Sequence, residues 1–336
     1  MVDLSTEWLG LSLRSPLVVG ASPLCDTVEH AQALVEAGAG AVVLASIFEE
    51  QLVADQVAAH HFFDSHVDTD AEAPSFLADT EVFAVSADPV LRRVTKLADQ
   101  LDVPVIGSIN GVTPGGWTTF AQELADAGAA AIELNLYDIA TDVDTSGAHL
   151  EERQLQVVAS VASTVDVPVS VKLSPSYASV PNMVARLSDA GAAGVVLFNR
   201  YYQPDIDLET LDADRTLHLS TSAELPQRLH ALAALHHRVT VSLASSGGVH
   251  AGTDAAKAIL CGAHAVQLVS ALLAGGPDAL RRIGLELRDW LDEQGYRTLD
   301  EARGATSLDN VANPHEWERL NYAHLLAGWH GRPGRP

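Results

Sequence analysis

The sequence predicts a single (β/α)8 TIM barrel, and two observations lead to this fold class. The first is a helix-to-strand junction that occurs four times, in which an amphipathic run ends at a glycine and a short apolar run follows. The four segments read EAGAGAVVL (36–44), DAGAAAIEL (126–134), DAGAAGVVL (189–197) and LCGAHAVQL (260–268). Glycine accepts the left-handed conformation that ends a helix, and unbroken Val, Ile and Leu are typical of a parallel strand buried on both faces. The second observation is that eight such strand candidates alternate with helices, which favours a closed barrel over an open sheet.

Each element follows in order from its local pattern. The strand candidates are short apolar runs at 15–22, 41–46, 103–109, 130–136, 167–174, 193–199, 239–248 and 263–270. Amphipathic periodicity predicts helices at 27–38, 92–101, 117–128, 149–164, 179–191, 224–236, 253–262 and 277–294, with Thr27 as the N-cap of the first. Long loops are expected after strands two, four and six, at 47–90, 137–147 and 200–222. We therefore expect a barrel over 1–295 and a polar tail over 296–336 that packs on the barrel or on a partner.

Composition excludes several classes of function. The formal net charge of −24 argues against nucleic acid and anionic membranes as partners. No apolar run is long enough to span a membrane, and the N-terminus lacks the basic and apolar regions of a signal peptide. The only cysteines, Cys25 and Cys261, fit a reducing compartment, so a cytoplasmic protein is expected.

Polar residues stand at the C-terminal ends of the predicted strands, where barrels place their chemistry. They are Ser22, Ser46, Asn110, Asn135, Lys172, Asn199, Ser245, Ser246 and Ser270. Core packing does not favour three asparagines and a lysine at such positions. Asparagine amides offer both donors and acceptors to a planar heteroaromatic ligand.

Lys172 is the most informative of these residues. It is one of three lysines in the chain and lies inside the apolar strand VSVKLSP, where an unpaired ammonium is costly. We expect it to meet an anionic or electron-rich ligand. The alternative is a structural lysine that pairs with a neighbouring carboxylate or extends out of the barrel.

The segment SSGGVHAGTDAAKA (245–258) predicts a phosphate site after strand seven. Gly247 and Gly248 would expose backbone N–H groups, and a helix capped near Thr253 would place its positive end behind them. Ser270 after strand eight could contact the same anion. A plain tight turn is the alternative.

No metal site is expected from the histidines. His60 and His61 are adjacent, as are His236 and His237, so neither pair shares a helix face. His66 and Asp68 lack the further ligands of a metal site.

The order of several motifs resembles the FMN-binding barrel of dihydroorotate dehydrogenases over about residues 1–293. These motifs are GASP (20–23), IGSING (106–111), IELNLYD (132–138), VKLSP (171–175), LFNR (197–200) and SSGG (245–248), and FEEQ (48–51) resembles a divergent branch. The resemblance implies that Lys172, Asn135 and Asn199 contact the flavin ring. It also implies flavin contacts near Ala21 and Ser22, and a phosphate held by Gly247 and Gly248.

The sequence departs from the family pattern in the substrate region. The strand-two lysine of the family is Ala45 here, and the strand-eight glycine is Val269. The strand-four loop normally reads Asn-x-Ser-Cys/Ser-Pro-Asn, whereas here Asp138 replaces the catalytic Cys or Ser and Ala140 replaces the last Asn. Asp138 could act as the general base, although it would repel a carboxylate substrate at close range; a solvated loop aspartate is the alternative.

The leading hypothesis is an FMN-dependent oxidoreductase acting on the CH–CH bond of dihydroorotate or a related dihydropyrimidine. Asp138 or Tyr137 would move the proton, and Lys172 would stabilise the reduced flavin. A soluble electron acceptor or a partner protein is expected, and a homodimer is one candidate assembly. The alternatives are a Schiff-base aldolase or another phosphate-binding barrel enzyme that uses Lys172, and a non-catalytic flavin-binding protein.

Overall fold

The computed structural model contains a closed barrel of eight parallel strands. It describes residues 2–48, 87–111, 117–138, 140–200, 205–214 and 216–314, together with the single positions 323 and 327. The barrel strands are β3 (Leu17–Val19), β4 (Ala41–Val43), β6 (Val105–Asn110), β7 (Ala131–Leu136), β8 (Val169–Leu173), β9 (Gly194–Leu197), β12 (Ser242–Ser246) and β13 (Ala265–Leu268). The pairings β13–β3 and β4–β6 close the ring, so the predicted fold class is confirmed.

The remaining elements surround the barrel. Outside it lie the hairpin strands β1 (Thr6–Trp8) and β2 (Leu11–Leu13), the short β5 (Ile47–Phe48), and a second hairpin, β10 (Asp205–Asp207) and β11 (Asp212–Asp214). The helices are α1 (Val28–Glu36), α2 (Ala87–Gln100), α3 (Trp117–Asp126), α4 (Gly147–Ala162), α5 (Val180–Asp189), α6 (Leu225–Leu235), α7 (Gly252–Leu260), α8 (Ser270–Glu293) and α9 (Leu299–Ala302). Gly276 interrupts α8, and the predicted helix 277–294 is the second part of it.

The four repeated junctions have the backbone that their glycines predict. Gly38, Gly128, Gly191 and Gly262 follow helices and have φ between 97° and 114°. An L-residue with a side chain is strained there, whereas glycine is not. Each helix therefore ends at a defined residue, and the next strand enters the sheet in a fixed register.

An N-terminal hairpin closes the end of the barrel opposite the carboxyl ends of the strands. The sequence pattern before residue 15 predicted no strands here. Leu9 and Gly10 both have positive φ, as expected of a tight hairpin turn between β1 and β2. Trp8 is fully buried and packs in a cluster with residues at the strand starts, including Ala41, Ala131 and Ala265. This end of the barrel is therefore filled with apolar side chains.

The described part of the C-terminal tail packs on the barrel helices. Gly304 N–H donates to the Ile259 carbonyl (3.1 Å), and Leu308 N–H donates to the Ala233 carbonyl (3.0 Å). Arg303 donates to Thr6 Oγ1 of the hairpin at 2.7 Å. Apart from positions 323 and 327, the tail beyond residue 314 lies outside the described residues, as does most of the loop after β4.

None of the helices described is both long enough and apolar enough to cross a bilayer.

We predict that Trp8→Ala lowers the free energy of unfolding by about 3–5 kcal/mol, because it leaves a cavity among residues that cannot collapse fully. Urea denaturation monitored by circular dichroism measures this. The control is Leu208→Ala, since Leu208 is 84% exposed and its truncation should change stability by less than about 0.5 kcal/mol. Equal effects of the two substitutions would show that the hairpin does not stabilise the barrel.

Candidate active site

A cavity of about 280 Å³ lies at the carboxyl ends of the barrel strands. Eight of the predicted site residues line it, namely Ala21, Ser22, Lys172, Asn199, Ser246, Gly247, Gly248 and Ser270. They come from the ends of β3, β8, β9, β12 and β13, which the closed ring brings to one face. Leu217, Leu219 and Ser220 of the loop after β9 line the same cavity.

Three other predicted residues lie along the same strand edge but do not line this cavity. Asn135 Oδ1 accepts a hydrogen bond from Asn199 Nδ2 at 2.9 Å, so Asn135 is joined to the cavity through Asn199. Asn110 stands beside Asn135 in the register of β6 and β7. The Ser46 and Ser108 hydroxyls share a hydrogen bond of 2.7 Å.

Lys172 is 5% exposed and has two buried partners. Its Nζ donates to Gln267 Oε1 at 3.0 Å and lies 3.6 Å from Glu133 Oε1. The pairing with a carboxylate that the sequence left open as an alternative is therefore present. Lys172 also lines the cavity, so the ion pair and a contact with a ligand are compatible.

The Gly247–Gly248 turn is a close approach of backbone that excludes side chains. The two residues have φ of 88° and 79°. A Cβ on Gly248 would lie 2.6 Å from the Leu225 backbone nitrogen, and one on Gly247 would lie 3.0 Å from Arg228 Nη2. Gly248 is therefore required by conformation and by space, whereas at Gly247 the positive φ is the main constraint, because the neighbouring atom belongs to a side chain.

Arg228, which was not among the predicted site residues, is a cation that lies against this turn. It is 4% exposed, and it donates from Nε to the Ser246 carbonyl (3.0 Å) and from Nη1 to the Glu224 carbonyl (2.7 Å). Burial lowers the pKa of Arg228, and the nearby Arg200 adds to that effect, while Glu224 opposes it. The sequence feature that indicates its burial is its position on the apolar face of α6, between Leu225 and Leu232.

The start of α7 differs from the prediction. The helix begins at Gly252 with Ala251 as its N-cap, two residues before the expected cap near Thr253, and the Asp254 carboxylate accepts from His250 N (3.1 Å) and Ala251 N (3.2 Å). Glu286 accepts from Gly252 N at 2.7 Å, and this N–H lowers the pKa of Glu286. The backbone N–H groups at the start of α7 are thus hydrogen-bonded to carboxylates of the protein. The candidate anion-binding site is the Gly247–Gly248 turn together with the first residues of α8.

The loop after β7 is tied to α4. Asp138 is mostly buried and forms an ion pair with Arg153, so it is not a solvated loop aspartate. Near them, Tyr177 donates to Gln154 Oε1 at 2.8 Å. Burial raises the pKa of Tyr177, and the Glu151 and Asp138 carboxylates raise it further. Tyr137 and Asp138 do not line the cavity, and their role in proton transfer stays a prediction.

Within the described ranges, no group of three or more His, Cys, Asp or Glu side chains is placed to hold a metal ion. His60, His61, His66 and Asp68 lie outside the described residues.

Comparisons with known proteins agree with the family that the sequence motifs resemble. Residues 80–291 match the family model described as dihydroorotate dehydrogenase. The putative dihydroorotate dehydrogenase A (fumarate) of Aeropyrum pernix is 32% identical over 65% of this chain and 74% of its own length. The dihydroorotate dehydrogenase B (NAD(+)) catalytic subunit of Methanothermobacter thermautotrophicus is 24% identical over 90% of this chain and 97% of its own. A crystal structure of DHODH from Eimeria tenella in complex with ferulenol has a TM-score of 0.63 at 18% identity, covering 90% of this chain and 88% of that one, which supports the fold alone.

We predict that Lys172→Met destabilises the protein by about 3–5 kcal/mol, because it leaves the Glu133 carboxylate buried without its cation. The double variant Lys172→Met/Glu133→Gln should recover part of this loss, since no charge then remains unpaired. Urea unfolding of the four proteins of this cycle gives the coupling energy. Additive effects would contradict the ion pair.

Proposed function

This chain belongs to the dihydroorotate dehydrogenase family, and from that premise we propose that it is an FMN-dependent oxidoreductase acting on the CH–CH bond of dihydroorotate or a related dihydropyrimidine. The observation that carries the proposal is the single cavity where Lys172, Asn199 and the Gly247–Gly248 turn meet. Each of these was assigned a flavin contact by the resemblance of its motif. The experiment that tests the proposal is an absorbance spectrum of the purified protein, followed by anaerobic titration with dihydroorotate and dihydrouracil.

The residues present fit FMN. The Gly247–Gly248 turn lines the cavity, and Arg228 is a buried cation that lies against the turn, where a Cβ on Gly247 would meet its Nη2. Arg200 also lines the cavity, with its Nε 3.5 Å from Glu224 Oε2. A phosphate group at the turn would accept hydrogen bonds from backbone N–H groups and would supply a negative charge near Arg228.

Each part of the site has a separate task in this proposal. The turn, Arg228 and Ser270 bind the phosphate, while Lys172 and the Asn199–Asn135 pair orient the ring. FMN, when bound, supplies the hydride acceptor for an oxidation that removes hydrogen from two adjacent carbons. Asp138 or Tyr137 takes the accompanying proton.

The Schiff-base alternative is weakened by the contacts of Lys172. A nucleophilic amine has to face its substrate, whereas Lys172 Nζ donates to Gln267 Oε1 at 3.0 Å and lies 3.6 Å from Glu133 Oε1 inside the barrel. The alternative of a non-catalytic flavin protein predicts bound flavin that no dihydropyrimidine reduces, and the anaerobic titration separates it from the enzyme.

The electron acceptor is a further part of the proposal. The names of the relatives mention fumarate for one protein and NAD(+) for another. For this chain we propose a soluble acceptor or a partner protein, which stopped-flow reoxidation of the reduced protein with each candidate compound would identify.

We predict that Arg228→Met weakens FMN binding about tenfold or more but leaves riboflavin binding unchanged, because only FMN carries the phosphate that pairs with Arg228. Fluorescence titration of the flavin-free protein measures both affinities. Arg238→Met is the control, since Arg238 is 52% exposed and pairs with Asp309 on the surface. Equal losses for FMN and riboflavin would place the phosphate elsewhere.

A second substitution tests the turn itself. Gly248→Val should abolish FMN retention, because a β-branched side chain cannot adopt positive φ and would collide with the Leu225 backbone. Normal flavin content after purification would contradict the assignment.

Asp138→Asn should keep FMN bound and slow flavin reduction by dihydroorotate about 10²-fold or more, the usual scale for losing a general base. Stopped-flow absorbance measures the rate. Asp142→Asn in the same loop is the matched control and should reduce flavin at the wild-type rate, because Asp142 is exposed and bonds only to its own loop in the contacts described. Similar rates for all three proteins would assign the base role to another group.

A further inference from the structure

Three buried polar side chains meet inside the barrel beneath the cavity. Glu133 of β7 is 0% exposed, Gln267 of β13 is 1% exposed, and Lys172 of β8 is 5% exposed. Strands β7 and β8 are neighbours, whereas β13 lies across the ring from them. Gln267 therefore reaches across the barrel interior to contact both charged residues.

The Gln267 amide has one orientation that satisfies both partners. Its Oε1 accepts from Lys172 Nζ at 3.0 Å, and its Nε2 donates to Glu133 Oε2. An ammonium has only donors and a carboxylate has only acceptors, so the reverse orientation would oppose like groups on both sides. The bridge therefore matches the hydrogen-bonding groups of a charged lysine and a charged glutamate.

Glu133 is the counter-charge of Lys172. Among the described residues, it is the one carboxylate within 4.0 Å of Nζ, and its Oε1 lies 3.6 Å away without a hydrogen bond of its own. The other charged residue that lines the cavity is Arg200, whose positive charge repels an ammonium at Lys172. Without Glu133, a buried ammonium would retain only an amide oxygen as its partner.

We propose that Glu133 and Gln267 are positioning residues that keep Lys172 as an ammonium, aimed at the flavin, in both oxidation states of the cofactor. The inference rests on the proposed function. It follows that Lys172 neither gains nor loses a proton when the flavin is reduced. The positive charge is then present before the electrons arrive, as preorganised electrostatic stabilisation requires.

Lysine-specific NMR tests this in the wild-type holoprotein. The chain has only Lys96, Lys172 and Lys257, so ¹⁵N-labelled lysine gives a simple Nζ spectrum in which the Lys172→Met variant assigns one signal. The Lys172 signal should have the chemical shift of an ammonium, with oxidised and with dithionite-reduced FMN, at every pH at which the protein is folded. The shift of a neutral amine in either state would overturn the proposal.

The Glu133→Gln variant provides the second test. Lys172 should then lose its proton with oxidised flavin and regain it on reduction. That added proton makes the equilibrium constant for flavin reduction about tenfold more sensitive to each pH unit than in wild type. Spectroelectrochemical titration over a pH series measures the slope. Glu133→Asp, which retains the carboxylate, should restore the wild-type slope, and Lys172→Met/Glu133→Gln should not show the added proton.

The outcomes separate the two proposals. FMN binding with the same slope in wild type and Glu133→Gln overturns the role of Glu133 alone. A wild-type protein that takes up no FMN overturns the proposed function and this inference with it. If Glu133→Gln does not fold, the wild-type NMR measurement still decides.

Discussion

The candidate site depends on closure of the sheet by the β4–β6 pairing. In an open parallel sheet, residues at the ends of distant strands lie along a line. In a closed ring they surround one axis, so Gln267 of β13 can reach Lys172 of β8 and Glu133 of β7. Because these contacts run across the interior, a lysine, a glutamate and a glutamine can be buried together with their polar groups largely satisfied. Because Lys172 is paired with Glu133, its charged side chain can be buried in the barrel interior and still line the cavity.

The two ends of the barrel differ in what fills them. The hairpin end contains Trp8 and small apolar residues at the strand starts, such as Ala41, Ala131 and Ala265. The carboxyl end contains hydroxyls, amides and cations, among them Ser270, Asn199 and Lys172. Water and ligands therefore have one side from which to reach Lys172. The hairpin end is thus apolar and closed, and the carboxyl end carries the candidate site, which is the division expected of barrel enzymes.

The features that sequence could predict are those written in local patterns. The alternation of strands and helices along the chain, the junction glycines and the Gly247–Gly248 turn each depend on a few adjacent residues. The missed features depend on contacts that are distant along the chain. Glu133 reads as part of a buried strand, and only its position opposite Gln267, 134 residues away, gives it a role. Arg228 reads as one polar residue in a helix until the turn at Gly247 is placed against it. The helix start lies at Ala251 and not near Thr253, and the Asp254 carboxylate fixes it by accepting from the His250 and Ala251 amides.

The Asp138–Arg153 pair changes the electrostatic argument about the substrate. From sequence alone, Asp138 places an uncompensated negative charge beside the position of a dihydroorotate carboxylate. In the structure Arg153 contacts the Asp138 carboxylate directly. The Nε of Arg153 is buried without a hydrogen-bond partner among the described residues. The field of a close ion pair falls off as a dipole, so its repulsion of a substrate carboxylate is much weaker than that of a lone aspartate. Replacement of the family's cysteine or serine by Asp138 therefore does not by itself exclude an anionic substrate, and the missing strand-two lysine at Ala45 becomes the more consequential departure.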